Sequence, residues 1–152
     1  MSEIKILAKN RKANFEYFLL EKFEAGIELQ GSEIKSIRAG QVSIGEAFVQ
    51  IENHEAWLVD SHVAKYDAAS FFNHDPKRRR KLLLHKKEVL EIWNAVRQKG
   101  VTVIPTILYL KNGKAKIEIA LAKGKKMYDK RDSIAKRDQE REISRNRKLS
   151  DL

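Results

Sequence analysis

The residues of this chain able to do chemistry are few in kind. Its four histidines, His54, His62, His74 and His85, form no His-Glu-x-x-His pattern or other metal-binding spacing. There is no cysteine, which excludes thiolate zinc sites, a disulfide scaffold and a cysteine nucleophile. Neither a Gly-x-x-x-x-Gly-Lys phosphate loop nor a Gly-x-Gly-x-x-Gly fingerprint occurs. Two carboxylate pairs, Glu52 with Glu55 and Asp129 with Asp132, offer a route to a metal-dependent ribonuclease, but without further ligands they read as solvated charges. The expectation is a protein that is not an enzyme and uses no metal or cofactor.

What the sequence does offer is anion chemistry. Lys and Arg total 31 against 21 Asp and Glu, a formal net charge of +10. Residues 1–74 carry 8 basic and 11 acidic side chains, whereas residues 75–152 carry 23 and 10. The excess lies entirely in the second half, clustered at Lys77-Arg78-Arg79-Arg80-Lys81, at Lys123-Gly124-Lys125-Lys126 and in the tail from Asp129 onward. A charge run by itself is a solvated face as often as a binding site. The first run is more telling, because it precedes a helix whose own start carries Lys86 and Lys87, where the helix dipole disfavours cations. A compensating anion is expected there. Leu82-Leu83-Leu84 follow the run, and two of them are expected in the core with one exposed.

These residues need a scaffold. At 152 residues and 42% hydrophobic content the chain fits one domain. Tyr17 to Leu29 reads as a long strand, alternating from Phe23 onward, and Ala47–Ile51 and Ala56–Val59 as a hairpin. A short helix is predicted over 31–40, with Ser32 as its cap and Gly40 at its end. Residues 64–81 form a long connection without clear period, in which Asp75-Pro76 suits a helix start. The spacing of Val89, Ile92, Trp93 and Val96 predicts a helix over 86–99. Val101–Leu110 and Lys114–Ala122 flank Asn112-Gly113, a type I′ hairpin signal, and Lys116 is expected on an exposed sheet face. Five or six strands with two helices suggest a mainly β fold: a small, partly closed antiparallel barrel of the oligonucleotide-binding type, with flanking helices. The barrel is expected over residues 1–122 and a basic tail over 123–152.

If residues 129–152 became helical, Lys130, Arg137, Arg141, Arg145 and Lys148 would line one face. Like charges at that spacing destabilise an isolated helix, and no apolar stripe accompanies them, so the tail is expected to order only against a polyanion such as RNA. The missing stripe also argues against a membrane-surface helix, and no apolar run reaches the length of a membrane span. A cytoplasmic location is the simplest expectation.

Three ordered segments resemble the SsrA-binding protein family, also called small protein B, of bacteria. They are Phe23 to Gly31 with Glu33-Ile34-Lys35-Ser36 and Arg38-Ala39-Gly40; Arg80-Lys81-Leu82-Leu83-Leu84-His85; and Ala122 to Lys126 with Asp129-Lys130-Arg131. The resemblance spans almost the whole chain. It implies a non-catalytic oligonucleotide-binding barrel that binds transfer-messenger RNA and brings it to ribosomes stalled on truncated messages. It also implies a tail placed in the empty message channel of the small subunit. Carried over by position, the RNA-contacting surface is Glu24, Leu83, His85, Lys116, Lys123, Gly124, Lys125 and Lys126. The tail positions tied to the ribosome are Tyr128, Asp129, Lys130 and Arg131, followed by the basic stripe. The family often has Asn where this chain has His85 and His where it has Tyr128. Both residues here are flat rings able to stack. The resemblance further suggests a monomer that meets alanyl-tRNA synthetase and elongation factor Tu through the RNA. A general rRNA-binding structural protein is the other reading that the charge allows.

Overall fold

The computed structural model describes residues 3–66 and 73–125. Strand β1 (Ile4–Lys9) leads through a one-turn helix α1 (Ala13–Glu16) into the long strand β2 (Tyr17–Ile27). Helix α2 (Gly31–Arg38) follows, then β3 (Val42–Ser43), β4 (Phe48–Glu52), β5 (Glu55–Val59) and β6 (His62–Val63). Strand β7 (Arg80–Leu83), helix α3 (Lys86–Val96) and the hairpin β8 (Val101–Lys111) and β9 (Lys114–Gly124) complete the order. Seven strands form one antiparallel sheet in the order β1-β8-β9-β2-β7-β5-β4, while β3 and β6 pair separately. The sheet curls until β4 packs against β8 without joining its ladder, which gives the expected mainly β, partly closed barrel.

Local chemistry explains most boundaries. Asn112 and Gly113 both have positive φ, 53° and 80°, as a type I′ turn between β8 and β9 requires. Asn53 and His54 adopt the same region at the β4–β5 turn, which confirms that hairpin. Gly40 at φ 77° ends α2, as predicted. The predicted cap of that helix is corrected: Gln30 occupies the N-cap and forms a capping box with Glu33, because Ser32 already lies inside the helix. Ser32 turns inward and bonds His74 Nδ1 at 2.8 Å. The Asp75-Pro76 pair likewise starts no helix; Asp75 accepts a hydrogen bond from the Lys77 amide at 2.9 Å and closes a turn into β7.

Side chains on the concave side of the sheet make the core. Phe23 and Ala25 from β2, Leu58 from β5, Leu82 from β7 and Ile117 and Ile119 from β9 pack with Ile37 of α2 and Ile92 of α3. The alternation read from the sequence places them there, since period 2 sends every second residue to the same face. On the convex side, one end is covered: α1 lays Ala13 over Ile104 and Ala122, with Tyr17 and Leu19 beside them. The other end of that face is open.

Candidate nucleic-acid interface

The open end is built by strand register. Leu83 of β7 pairs with Gly26 of β2, Gly26 with Lys116 of β9, Lys116 with Tyr109 of β8, and Tyr109 with Ile6 of β1. Directly paired residues share a face, so these five side-chain positions form one row across five strands. Gly26 makes room in it: a Cβ there would sit 3.2 Å from the Leu83 Cβ, tighter than ordinary contact, and Leu83 would have to give by a few tenths of an ångström. The missing side chain leaves Leu83 standing over bare backbone, 50% exposed. Of the three leucines, Leu82 is in the core, Leu84 is half-buried and Leu83 is the exposed one, because β7 continues the alternation through the run.

A groove beside this row collects Glu24, Leu83, His85 and Lys116 with Lys81 and Lys86. Four of the residues expected on the RNA surface thus come from four elements or their ends into one place. His85 is the N-cap of α3 and exposed; its amide donates to Glu88 Oε1 at 3.2 Å within a capping box. Glu88 also supplies the acidic group that Lys86 and Lys87 need at a helix start. Lys116 is half-buried rather than fully exposed, because Gly26 and Tyr109 flank its stem.

Glu24 is already engaged. Tyr109 Oη donates to one carboxylate oxygen and Lys111 Nζ lies 3.5 Å from the other. The Tyr109 hydrogen bond holds the Glu24 carboxyl below its ordinary range, with Lys111 and Lys116 adding to the effect and partial burial opposing it. Its own burial, and then the same contact, push the Tyr109 phenol far up, so it remains a donor at any physiological pH. Glu24 therefore fixes a tyrosine and a lysine on the face besides presenting its own charge.

The lysines after the strand lie elsewhere. Strand β9 continues through Lys123 and Gly124, both exposed, and a seven-residue step from Lys116 spans about 23 Å at strand rise. Lys125 donates to the Asn14 carbonyl at 2.8 Å and stands 5.1 Å from the Phe18 ring centroid, so it closes the α1 end of the barrel. The expected RNA surface is thus split between a groove and the far end of β9. Lys126, Tyr128, Asp129, Lys130, Arg131, Arg137, Arg141, Arg145 and Lys148 lie outside the described residues.

The arginine run has its expected compensating anion, and that anion is internal. Glu33 of α2, with no exposed surface, receives Arg80 Nε at 2.5 Å and Arg78 at 2.6 Å, and its Oε1 accepts the Gln30 amide at 2.8 Å. Arg80 is fully buried and spends its remaining donors on the carbonyls of Ser61, Asp75, Pro76 and Arg78 and on the Ser61 hydroxyl. Burial pushes the Glu33 carboxyl up, but Arg78, the Gln30 amide and Arg80 together hold it below its ordinary value. Arg79 and Lys81 point outward to Glu52 at 2.7 Å and Glu55 at 3.2 Å. Sequence reasoning missed Glu33 and Arg80 as partners; the strand alternation through Arg78, Arg80 and Leu82 was the available signal. Among the described residues, no group of three or more His, Asp or Glu side chains is placed to hold a metal ion. Nor is any helix there long and apolar enough to cross a membrane.

Comparison with known proteins supplies relatives along nearly the whole length. The SsrA-binding protein of Desulforudis audaxviator is 54% identical over 141 residues, covering 93% of this chain and 92% of the relative. That of Sulfurihydrogenibium sp. is 53% identical over 146 residues, covering 96% and 95%. A solved chain described under "tmRNA-SmpB: a journey to the center of the bacterial ribosome" superimposes with a TM-score of 0.67 at 44% identity, covering 78% of this chain and 84% of that one. The family profile described as SmpB protein matches residues 7–149. With that match and the identity of the relatives, the chain belongs to the SmpB protein family.

Proposed function

We propose that this protein binds transfer-messenger RNA through the convex face of its barrel and carries it to stalled ribosomes, where trans-translation tags the unfinished chain and frees the ribosome. The observation that carries the reading is the groove that gathers Glu24, Leu83, His85 and Lys116, in a chain whose relatives are SsrA-binding proteins. Lys116, Lys123 at the far end of β9, Lys125 and Lys126 neutralise phosphates; Leu83 presses an apolar knob against a ribose or base; His85 offers a ring for stacking. Glu24 orients Tyr109 and Lys111 towards the same strand of RNA. The protein is not an enzyme: it supplies affinity and position, and the chemistry belongs to the ribosome.

The RNA-gripping barrel, expected over residues 1–122, runs on to the end of β9 at Gly124, and the tail beyond it, up to 152, enters the empty message channel through Tyr128, Asp129, Lys130 and Arg131 and the stripe Arg137, Arg141, Arg145 and Lys148. The protein works in the cytoplasm as a monomer and meets alanyl-tRNA synthetase and elongation factor Tu through the RNA. A chain ending at Met127 tests the division of labour. It retains RNA binding in a gel-shift assay and loses tagging on stalled ribosomes; full tagging by the shortened chain refutes the tail's role. Sequencing the RNA recovered with the protein from cells tests the partner, and an absence of transfer-messenger RNA there sinks the reading.

A further inference from the structure

Helix α3 buries Val89 and Ile92 and leaves a second stripe outside. Lys86, Leu90, Trp93 and Arg97 follow one another at helical spacing, and Leu90 and Trp93 are 57% and 43% exposed. With Ile51, His54 and Val89, the first three of them line an apolar groove of their own, and Arg97 stands at its Trp93 end. It adjoins the groove at Leu83: His54, Lys86 and Val89 line both.

The charge on this stripe separates it from ordinary surface. The protein has two tryptophans, each under an arginine: Arg79 lies 4.8 Å from the Trp57 ring centroid and Arg97 lies 4.6 Å from that of Trp93. Arg79 is neutralised by Glu52 at 2.7 Å. Arg97 has no carboxylate within ion-pair distance among the described residues, so the Trp93 stack keeps its positive charge. Glu88 is turned back to the amide of His85. An exposed indole carrying a guanidinium, with Lys86 at the other end of the stripe, is the composition of a base-stacking platform beside a phosphate contact.

Resting on the function proposed above, we propose that the Lys86–Leu90–Trp93–Arg97 stripe is a continuation of the RNA interface, on which an unpaired base of the same bound RNA stacks against Trp93. The continuity of the two grooves commits the occupant to that RNA rather than to a separate partner.

The test uses the full chain with Trp57→Phe, which leaves Trp93 as its single indole. A transcript of the tRNA-like part of transfer-messenger RNA is titrated in, with gel shift run in parallel. Trp93 emission is expected to be quenched along the same curve as the gel shift. Trp93→Ala should weaken binding about tenfold and Trp93→Phe restore it to within about threefold. Leu90→Ser, confirmed folded by its thermal melt, should weaken binding without removing the quench. A saturated RNA complex with unchanged Trp93 emission, together with unaltered affinity of Trp93→Ala, overturns the proposal and leaves the RNA function standing. A self-associating protein whose dimer is lost on Trp93→Ala in sedimentation also overturns it, since the stripe then belongs to a second copy. Failure of the unsubstituted protein to bind the transcript at all removes the function itself and the proposal with it.

Discussion

Two basic regions of this protein do opposite work. Arg78 and Arg80 turn inward from the run before α3, converge on Glu33 and tie α2 to β7. Lys116 and Lys123 lie on β9 with no carboxylate within 4 Å among the described residues. The arginines are arranged as buried guanidinium should be, with planar donors spent on a carboxylate and on carbonyls. The lysines keep hydrated heads on apolar stems, suited to a partner that arrives and leaves. Charge density in the sequence does not separate the two cases; a buried carboxylate within reach of the side chain does.

The comparison breaks most visibly at Glu33. Glu33→Gln leaves Arg78 and Arg80 without their counter-charge and should cost about 3–5 kcal/mol of stability, read from urea unfolding. It should also change the acid limb. Glu33 is held below the ordinary carboxylate range when folded, so its contribution is complete above that range and is lost as pH falls through the lowered value. The variant should therefore lose less stability between neutral pH and pH 3 than the parent does. An equal loss in both would place the acid sensitivity elsewhere. RNA affinity of the fraction that remains folded should be unchanged, because the triad faces inward.

The lysines should behave in reverse. Lys116→Ala with Lys123→Ala should leave the unfolding midpoint nearly where it was and lower the slope of log affinity against log salt by about 0.7–0.9 per lost phosphate contact. A shifted midpoint with an unchanged slope would make them structural residues. The smallest effect sharpens the border between the classes. Glu52→Gln frees Arg79 on the outer face and should cost under about 1 kcal/mol, as exposed ion pairs do. It should raise RNA affinity slightly if the convex face near Trp57 is within reach of the RNA, which the same gel shifts would measure.

Much of this architecture was legible beforehand. Asn112-Gly113, the alternation from Phe23 and the spacing of Val89, Ile92 and Trp93 gave the long strands and α3, because each signal is local. Strands β1 and β7 were not foreseen: Ile4–Lys9 lies at an edge and alternates weakly, and the basic side chains of β7 hide a strand whose inward residues include an arginine. The interface residues came from resemblance to a family, and register explains why they meet. Leu83 and Lys116 are far apart in sequence but lie either side of Gly26. The far placement of Lys123 and the capture of Glu24 by Tyr109 depend on ladders that no local pattern reports.

The ladders on both sides of β9 have a mechanical consequence. Paired with β2 on one edge and β8 on the other, β9 is a stiff rod that joins the groove at Lys116 to the chain's exit past Gly124. Its length fixes a reach and its pleat fixes a phase. An insertion of two residues would lengthen the reach by about 7 Å with the same side chains outward, whereas one residue would invert the face. Whatever holds the groove thereby also fixes, through one strand, where the end of β9 at Gly124 lies.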